Sequence, residues 1–265
     1  MHRFFLPPEQ CGADSLSLTD REAHHALHVL RLRIGDSVTV LDGAGRELLC
    51  EVEDLSRASV RLAVREPRLH PPPPARVTLL QAIPKGKIIE SIIQKATELG
   101  VARIVPLLSE RVATQVDDDG AGRKAEKWQM VAVEAVKQCG APWLPRVLPP
   151  MTPAAFVARG EAIDLPLLGS LQPGSRHPRA VLSAYQSTHG RNPRSAAVWI
   201  GPEGDFTLEE IGLIEQSSAQ PITLGPLVLR TETAAIYCLS ILSYEFQWEF
   251  SGPARGNGSP GVPGE

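Results

Sequence analysis

Ala196-Ala197-Val198-Trp199-Ile200-Gly201-Pro202-Glu203-Gly204-Asp205-Phe206-Thr207-Leu208-Glu209-Glu210 runs from an apolar segment through Gly-Pro into a polar one. It reads as a buried strand, a tight turn and a helix opened by a capping box, Thr207 with Glu210. A second stretch, Thr223-Leu224-Gly225-Pro226-Leu227-Val228-Leu229-Arg230-Thr231-Glu232-Thr233, repeats the plan: strand end, Gly-Pro, then polar residues before a helix. Ligands of parallel α/β sheets sit beyond the carboxyl ends of strands, where both loops fall. Each loop alone also has a bland explanation. The first is an ordinary Gly-Pro turn; in the second Thr231 is an N-cap, Glu232 a first-turn carboxylate and Arg230 its surface partner.

Upstream of these loops the sequence alternates. Strands are expected at 76–82, 103–107, 165–169, 180–182, 197–200 and 221–224. Helices are expected at 87–99, through 124–138 and from about 233 onward. The first helix places Ile88, Ile89, Ile92, Ile93, Ala96 and Leu99 at helical spacing, with Gly100 as its C-terminal cap. This is the pattern of an α/β domain.

The run His70-Pro71-Pro72-Pro73-Pro74 is a semi-rigid spacer and marks a domain boundary. Before it, short strands at 37–41, 47–52 and 58–64 suggest a small β-rich domain, 1–72. The pattern Thr19-x-x-Glu22 predicts a capped helix carrying His24, His25, His28, Arg31 and Arg33 toward Gly35, the most cation-rich patch of this part. After the spacer, 75–250 forms the second domain. The Gly-, Pro- and Ser-rich tail 251–265 is expected to be disordered.

Composition narrows the classes. With 43% hydrophobic and 22% charged residues the chain resembles ordinary globular proteins. A net charge of -3 gives no overall pull toward nucleic acid, so any RNA binding must come from a local patch. Cys11, Cys50, Cys139 and Cys238 are too scattered for a zinc site and read as free thiols of a reducing cytoplasm, with no metal expected. No stretch reaches the roughly 18 apolar residues of a membrane span. Phosphate-binding P-loop, dinucleotide-binding and serine-hydrolase signatures are missing.

Several motifs, in one order along 1–248, resemble the RsmE family, the 16S ribosomal RNA uridine-N3 methyltransferases of the SPOUT superfamily. They are His24-His25-Ala26-Leu27-His28-Val29-Leu30-Arg31, Lys85-Gly86 with Ile93-Gln94-Lys95-Ala96-Thr97-Glu98-Leu99-Gly100, Ser109-Glu110-Arg111, Glu134-Ala135-Val136-Lys137-Gln138, and the two Gly-Pro loops. The resemblance implies a small PUA-like β-barrel followed by a SPOUT α/β domain with a C-terminal trefoil knot. It also implies a homodimer, S-adenosyl-L-methionine as methyl donor, and 16S rRNA or the small ribosomal subunit as partner. By position, the donor site would comprise Leu168, Gly169, Ile200, Gly201, Pro202, Glu203, Gly204, Leu224, Gly225, Leu229 and Thr233. Arg230 and Glu232 are the catalytic candidates, as oxyanion stabiliser and base. His24, His25, His28, Arg31, Arg33 and Arg111 are the RNA-binding candidates. A histidine of such a helix equally fits packing against the barrel, and Lys95 with Glu98 equally fits a helix-stabilising pair.

Departures from the family pattern bear on the RNA side. Cys139-Gly140-Ala141-Pro142-Trp143 lacks the usual arginine, with Trp143 open to base stacking or to core packing. Asp205 replaces a glycine, and Leu227 stands where a basic residue is expected. A SPOUT enzyme acting on another nucleotide or atom, or a non-catalytic rRNA-binding assembly protein, are the alternatives these departures keep open.

Overall fold

The computed structural model describes residues 1–112 and 118–246, so the tail 251–265 lies outside the described residues. The N-terminal part is a five-stranded sheet of order β1-β3-β4-β5-β2, built from β1 (His2–Phe5), β2 (Ser15–Leu18), β3 (Ser37–Leu41), β4 (Arg46–Leu55) and β5 (Val60–Leu69). β1 pairs parallel with β3 and the other pairs are antiparallel. Register shifts at Leu49/Cys50 and Val52/Asp54 bend the long β4–β5 pair. The sheet curls around buried Phe4, Leu16, Val38, Val40, Cys50 and Leu62. Its edges, β1 and β2, do not pair with each other, so it is a half-barrel rather than a barrel closed by strand pairing.

The cation-rich segment departs from expectation. α1 (Asp20–His24) is one short helix that passes into a π-helical turn at His25–Val29 and ends well before Gly35. The capping box at Thr19 does not form. Asp20 adopts φ 47, Thr19 Oγ1 donates to Asp20 Oδ2 at 3.0 Å, and the Glu22 carboxylate accepts instead from Lys137 Nζ at 2.7 Å.

The second part is a six-stranded parallel sheet of order β11-β9-β10-β6-β7-β8. Its strands are β6 (Arg76–Ala82), β7 (Arg103–Leu107), β8 (Arg146–Val147), β9 (Leu165–Gly169), β10 (Ser195–Ile200) and β11 (Gln220–Ile222). Its helices are α2 (Ile88–Glu98), α3 (Asp118–Cys139), α4 (Pro153–Val157), α5 (Pro178–His189), α6 (Leu208–Gln216) and α7 (Thr231–Phe246). Alternate strand residues feed two cores. Leu79, Ala196 and Val198 pack with α2, α3, α5 and α7; Leu80, Ala197 and Trp199 pack with α4 and α6. Burial on both faces explains the unbroken apolar run of β10.

The strand expected at 180–182 is a correction: those residues lie in α5. His177 accepts from the Arg179 N–H, Pro178 fills the first turn, and Gly190 closes the helix in the left-handed conformation. Val181, Leu182 and Tyr185 form its buried face.

The two parts are joined by polar and aromatic contacts. Lys137 near the end of α3, only 7% exposed, pairs with Glu22 at 2.7 Å and Glu134 at 3.3 Å, while Arg21 reaches Glu134 at 3.2 Å. Arg3 donates to the Gln138 carbonyl at 3.0 Å. Trp143 belongs to this joint: its ring lies where a Gly45 Cβ would stand, 2.5 Å away, and its Nε1 donates to the Pro71 carbonyl at 3.1 Å.

Candidate active site

A cavity of about 650 Å³ opens at the carboxyl ends of β9, β10 and β11, where the chain reverses direction across the sheet from β6. Its walls are the two Gly-Pro loops, the segment after β9 and Ile88 of α2. Among the sequence-predicted donor residues, Gly169, Ile200, Gly201, Pro202, Glu203, Leu224, Gly225 and Leu229 line it. Leu168 is buried behind it in the core, Gly204 lies on the outer side of the loop beside Arg111, and Thr233 is exposed on α7; none of these three forms part of its lining. Ser170, Gln172 and Thr223 line it without having been singled out by the sequence, since a lone polar residue in a loop carries no motif.

Local chemistry explains the loop shape. A Cβ on Gly201 would stand 2.9 Å from Asp205 Oδ1 and 3.2 Å from the Phe206 nitrogen, and Gly225 adopts φ +110, a conformation side chains disfavour. Asp205 also takes a left-handed backbone, φ 61, and its Oδ1 accepts from the Phe206 N–H at 2.8 Å. An aspartate therefore holds the turn here, because Asp tolerates this region through such local bonding. The capping box at Thr207 and Glu210 forms as read.

The Ser109-Glu110-Arg111 motif braces this loop from behind. Buried Glu210 accepts from Ser109 Oγ and the Glu110 N–H at 3.0 Å each, and Arg111 Nη1 donates to the Gly204 carbonyl. Glu203 is held on the other side, accepting from the Lys85 N–H at 3.1 Å. Lys95 and Glu98 form a helix pair at 3.1 Å.

Both Arg230 and Glu232 line the cavity wall, Arg230 exposed and Glu232 half-buried. Among the described residues neither side chain makes an ion pair, with each other or elsewhere, so both stay available to a ligand. Thr231 does not turn back to cap its own helix; its hydroxyl donates to the Gly201 carbonyl at 2.8 Å. The remaining RNA-binding candidates lie in the N-terminal part, on α1, the π-helical turn and the segment after it. His24 and His28 are exposed with ring centroids 4.8 Å apart, His25 packs edge-on against Phe4 at 6.1 Å, and Arg31 and Arg33 are exposed.

Volume and lining suit a nucleoside-sized ligand with an apolar ring and a polar tail. The cavity lies within the range of small-molecule sites, and it combines Ile200, Leu224 and Leu229 with Ser170, Gln172 and Thr231. Among the described residues no cluster of His, Cys, Asp and Glu could hold a metal. Burial pushes the Cys50 and Cys238 thiols up to about 12, and Cys11, also facing Asp42, to about 11.

Residues 71–243 match the RNA methyltransferase domain family, and residues 18–64 match the RNA methyltransferase PUA domain. The ribosomal RNA small subunit methyltransferase E of Bacillus subtilis is 31% identical, over 92% of this chain and 97% of its own length. The chain belongs to the ribosomal RNA small subunit methyltransferase E family. The Synechocystis relative is 35% identical, over 90% of this chain and 76% of its own. Among solved structures, a Legionella pneumophila protein with bound S-adenosylmethionine superposes with TM-score 0.81 at 32% identity, covering 92% of this chain and 97% of that one. The Neisseria gonorrhoeae methyltransferase E bound to S-adenosylmethionine gives 0.79 at 26% identity, covering 92% and 98%.

Proposed function

We propose that this chain methylates N3 of a specific uridine in the 16S RNA of the small ribosomal subunit, using S-adenosyl-L-methionine. The observation that carries the reading is the cavity walled by both Gly-Pro loops, in a chain 32% and 26% identical to two solved structures that hold this donor. Bound there, the donor supplies an activated methyl group. The protein's own work is alignment and proton handling. Uridine N3 carries a proton and attacks poorly until it is removed. Of the residues that line the cavity, Glu232 is proposed as the base and Arg230 as the cation that stabilises the uridine anion. Arg111, His24, His25, His28, Arg31 and Arg33 are proposed to face the RNA, and Leu168, Gly204 and Thr233 to support the donor loops from outside the cavity's lining.

The division into 1–72, 75–250 and a tail, a cytoplasmic location, and a trefoil knot closed by the segment leading into α7 belong to the same proposal. So does a homodimer. Thr233, Tyr237, Ser240 and Tyr244 make an exposed stripe on α7, and Leu227 and Val228 beside it are 73% and 77% exposed, an apolar surface that a second copy would cover. No helix among the described residues is long and apolar enough to cross a membrane. Nucleoside mass spectrometry of 16S RNA from a strain lacking the gene tests the reaction: 3-methyluridine is expected to disappear, and its persistence would contradict the proposal.

A further inference from the structure

Gln81, fully buried in β6, lies opposite Ile200 in the parallel register with β10. Its Nε2 donates to the Ala82 carbonyl at 2.9 Å and to Thr231 Oγ1 at 2.8 Å. Thr231 Oγ1 in turn spends its one proton on the Gly201 carbonyl at 2.8 Å. The relay therefore has a fixed direction, from the central strand through the first residue of α7 to the first Gly-Pro loop. Gln81 Oε1 is buried without a partner among the described residues. An idle buried oxygen opposes stability, so what favours an amide over leucine here is its donor.

We propose that Gln81 and Thr231 are a positioning pair that sets the register of the first Gly-Pro loop against Arg230 and Glu232. The pair acts through Gly201 on one side and through the flanking residues 230 and 232 on the other. The two walls of the cavity come from segments more than one strand apart in sequence, and this relay is a direct side-chain tie between them. Its functional consequence rests on the donor-site reading above, since the geometry it fixes is that between donor and uridine.

Hydrogen exchange on the ligand-free protein tests the pair independently of that reading. In Thr231→Val, which keeps shape and loses the hydroxyl, the backbone N–H groups within 201–206, where Pro202 has none, are expected to exchange about tenfold faster, the loss of one buried hydrogen bond. Thr231→Ser should recover the protection. Gln81→Met, similar in volume, should loosen the same segment and provides a second reading if the valine variant folds poorly. With donor present, calorimetry should show about tenfold weaker binding in the valine variant. Methyl transfer to small subunits from a deletion strain should fall further than donor occupancy accounts for, with serine restoring it. Wild-type exchange at 201–206 in both Thr231→Val and Gln81→Met would overturn the pair. A wild-type protein that binds no S-adenosylmethionine would overturn the donor-site reading instead, while the exchange data would still decide the relay.

Discussion

Arg111 donates from Nη1 to the backbone carbonyl of Gly204, fastening the loop after β7 to the loop after β10. The contact gives Arg111 a task that needs no RNA. Arg111→Ala is expected to weaken S-adenosylmethionine binding about three- to tenfold in RNA-free protein, the effect of one charge-assisted hydrogen bond at a partly exposed site. Calorimetry measures this; unchanged donor affinity would return Arg111 to a purely RNA-facing role.

Asp205 holds a left-handed backbone by bonding its own side chain to the next amide. Asp205→Gly should change stability by no more than about 0.5 kcal/mol, because glycine adopts φ > 0 freely. Asp205→Val should cost about 1–2 kcal/mol, since a branched side chain is strained there. Urea unfolding midpoints of the two variants separate these outcomes.

Lys137 and Glu22 form a buried ion pair between the two sheets, with the lysine side chain 7% and the glutamate 14% exposed. Lys137→Met is expected to destabilise by about 3–5 kcal/mol, because it strands a buried carboxylate whose second oxygen already lacks a partner. Adding Glu22→Gln should recover a large part of the loss. Additive destabilisation in the double variant would contradict the coupling.

Asp164 is held at a pKa of about 2 by Arg191 and by backbone N–H groups of Arg194 and Ser195. A depressed carboxylate stabilises the fold above its unfolded pKa, near 3.9, and that contribution is lost as pH falls toward about 2. Asp164→Asn should therefore lower the melting temperature at pH 7 and converge with wild type toward pH 2. A difference that stays constant across that window would rule out the titration as its cause.

Much of this was legible in the sequence where periodicity and turn chemistry agree. The parallel strands at 76–82, 103–107 and 165–169 and the Thr207 capping box follow from burial pattern and capping alone. At 180–182 a short apolar triplet reads as a strand on local pattern alone, whereas Pro178 and Gly190, which bracket α5, mark the start and stop of a helix. α1 fails as a regular helix for a tertiary reason, since Glu22 serves Lys137 rather than its own cap. Both Gly-Pro loops could be read as parallel turns. That they share one cavity, and that Gln81 ties them, depends on which strands are neighbours, and strand order is not written in local sequence.

Arg230→Ala should reduce methyl transfer at saturating donor by about 100-fold, the order of one lost transition-state electrostatic contact, while leaving the oligomeric state unchanged. Sedimentation and single-turnover kinetics read the two separately. Wild-type turnover would remove Arg230 from the reaction.

The central claim is tested most directly by incubating the purified protein with methyl-labelled S-adenosylmethionine and small ribosomal subunits from a strain lacking the gene, then digesting the 16S RNA to nucleosides. The account predicts label in 3-methyluridine alone. Label in any other nucleoside, or none in the RNA, would contradict it.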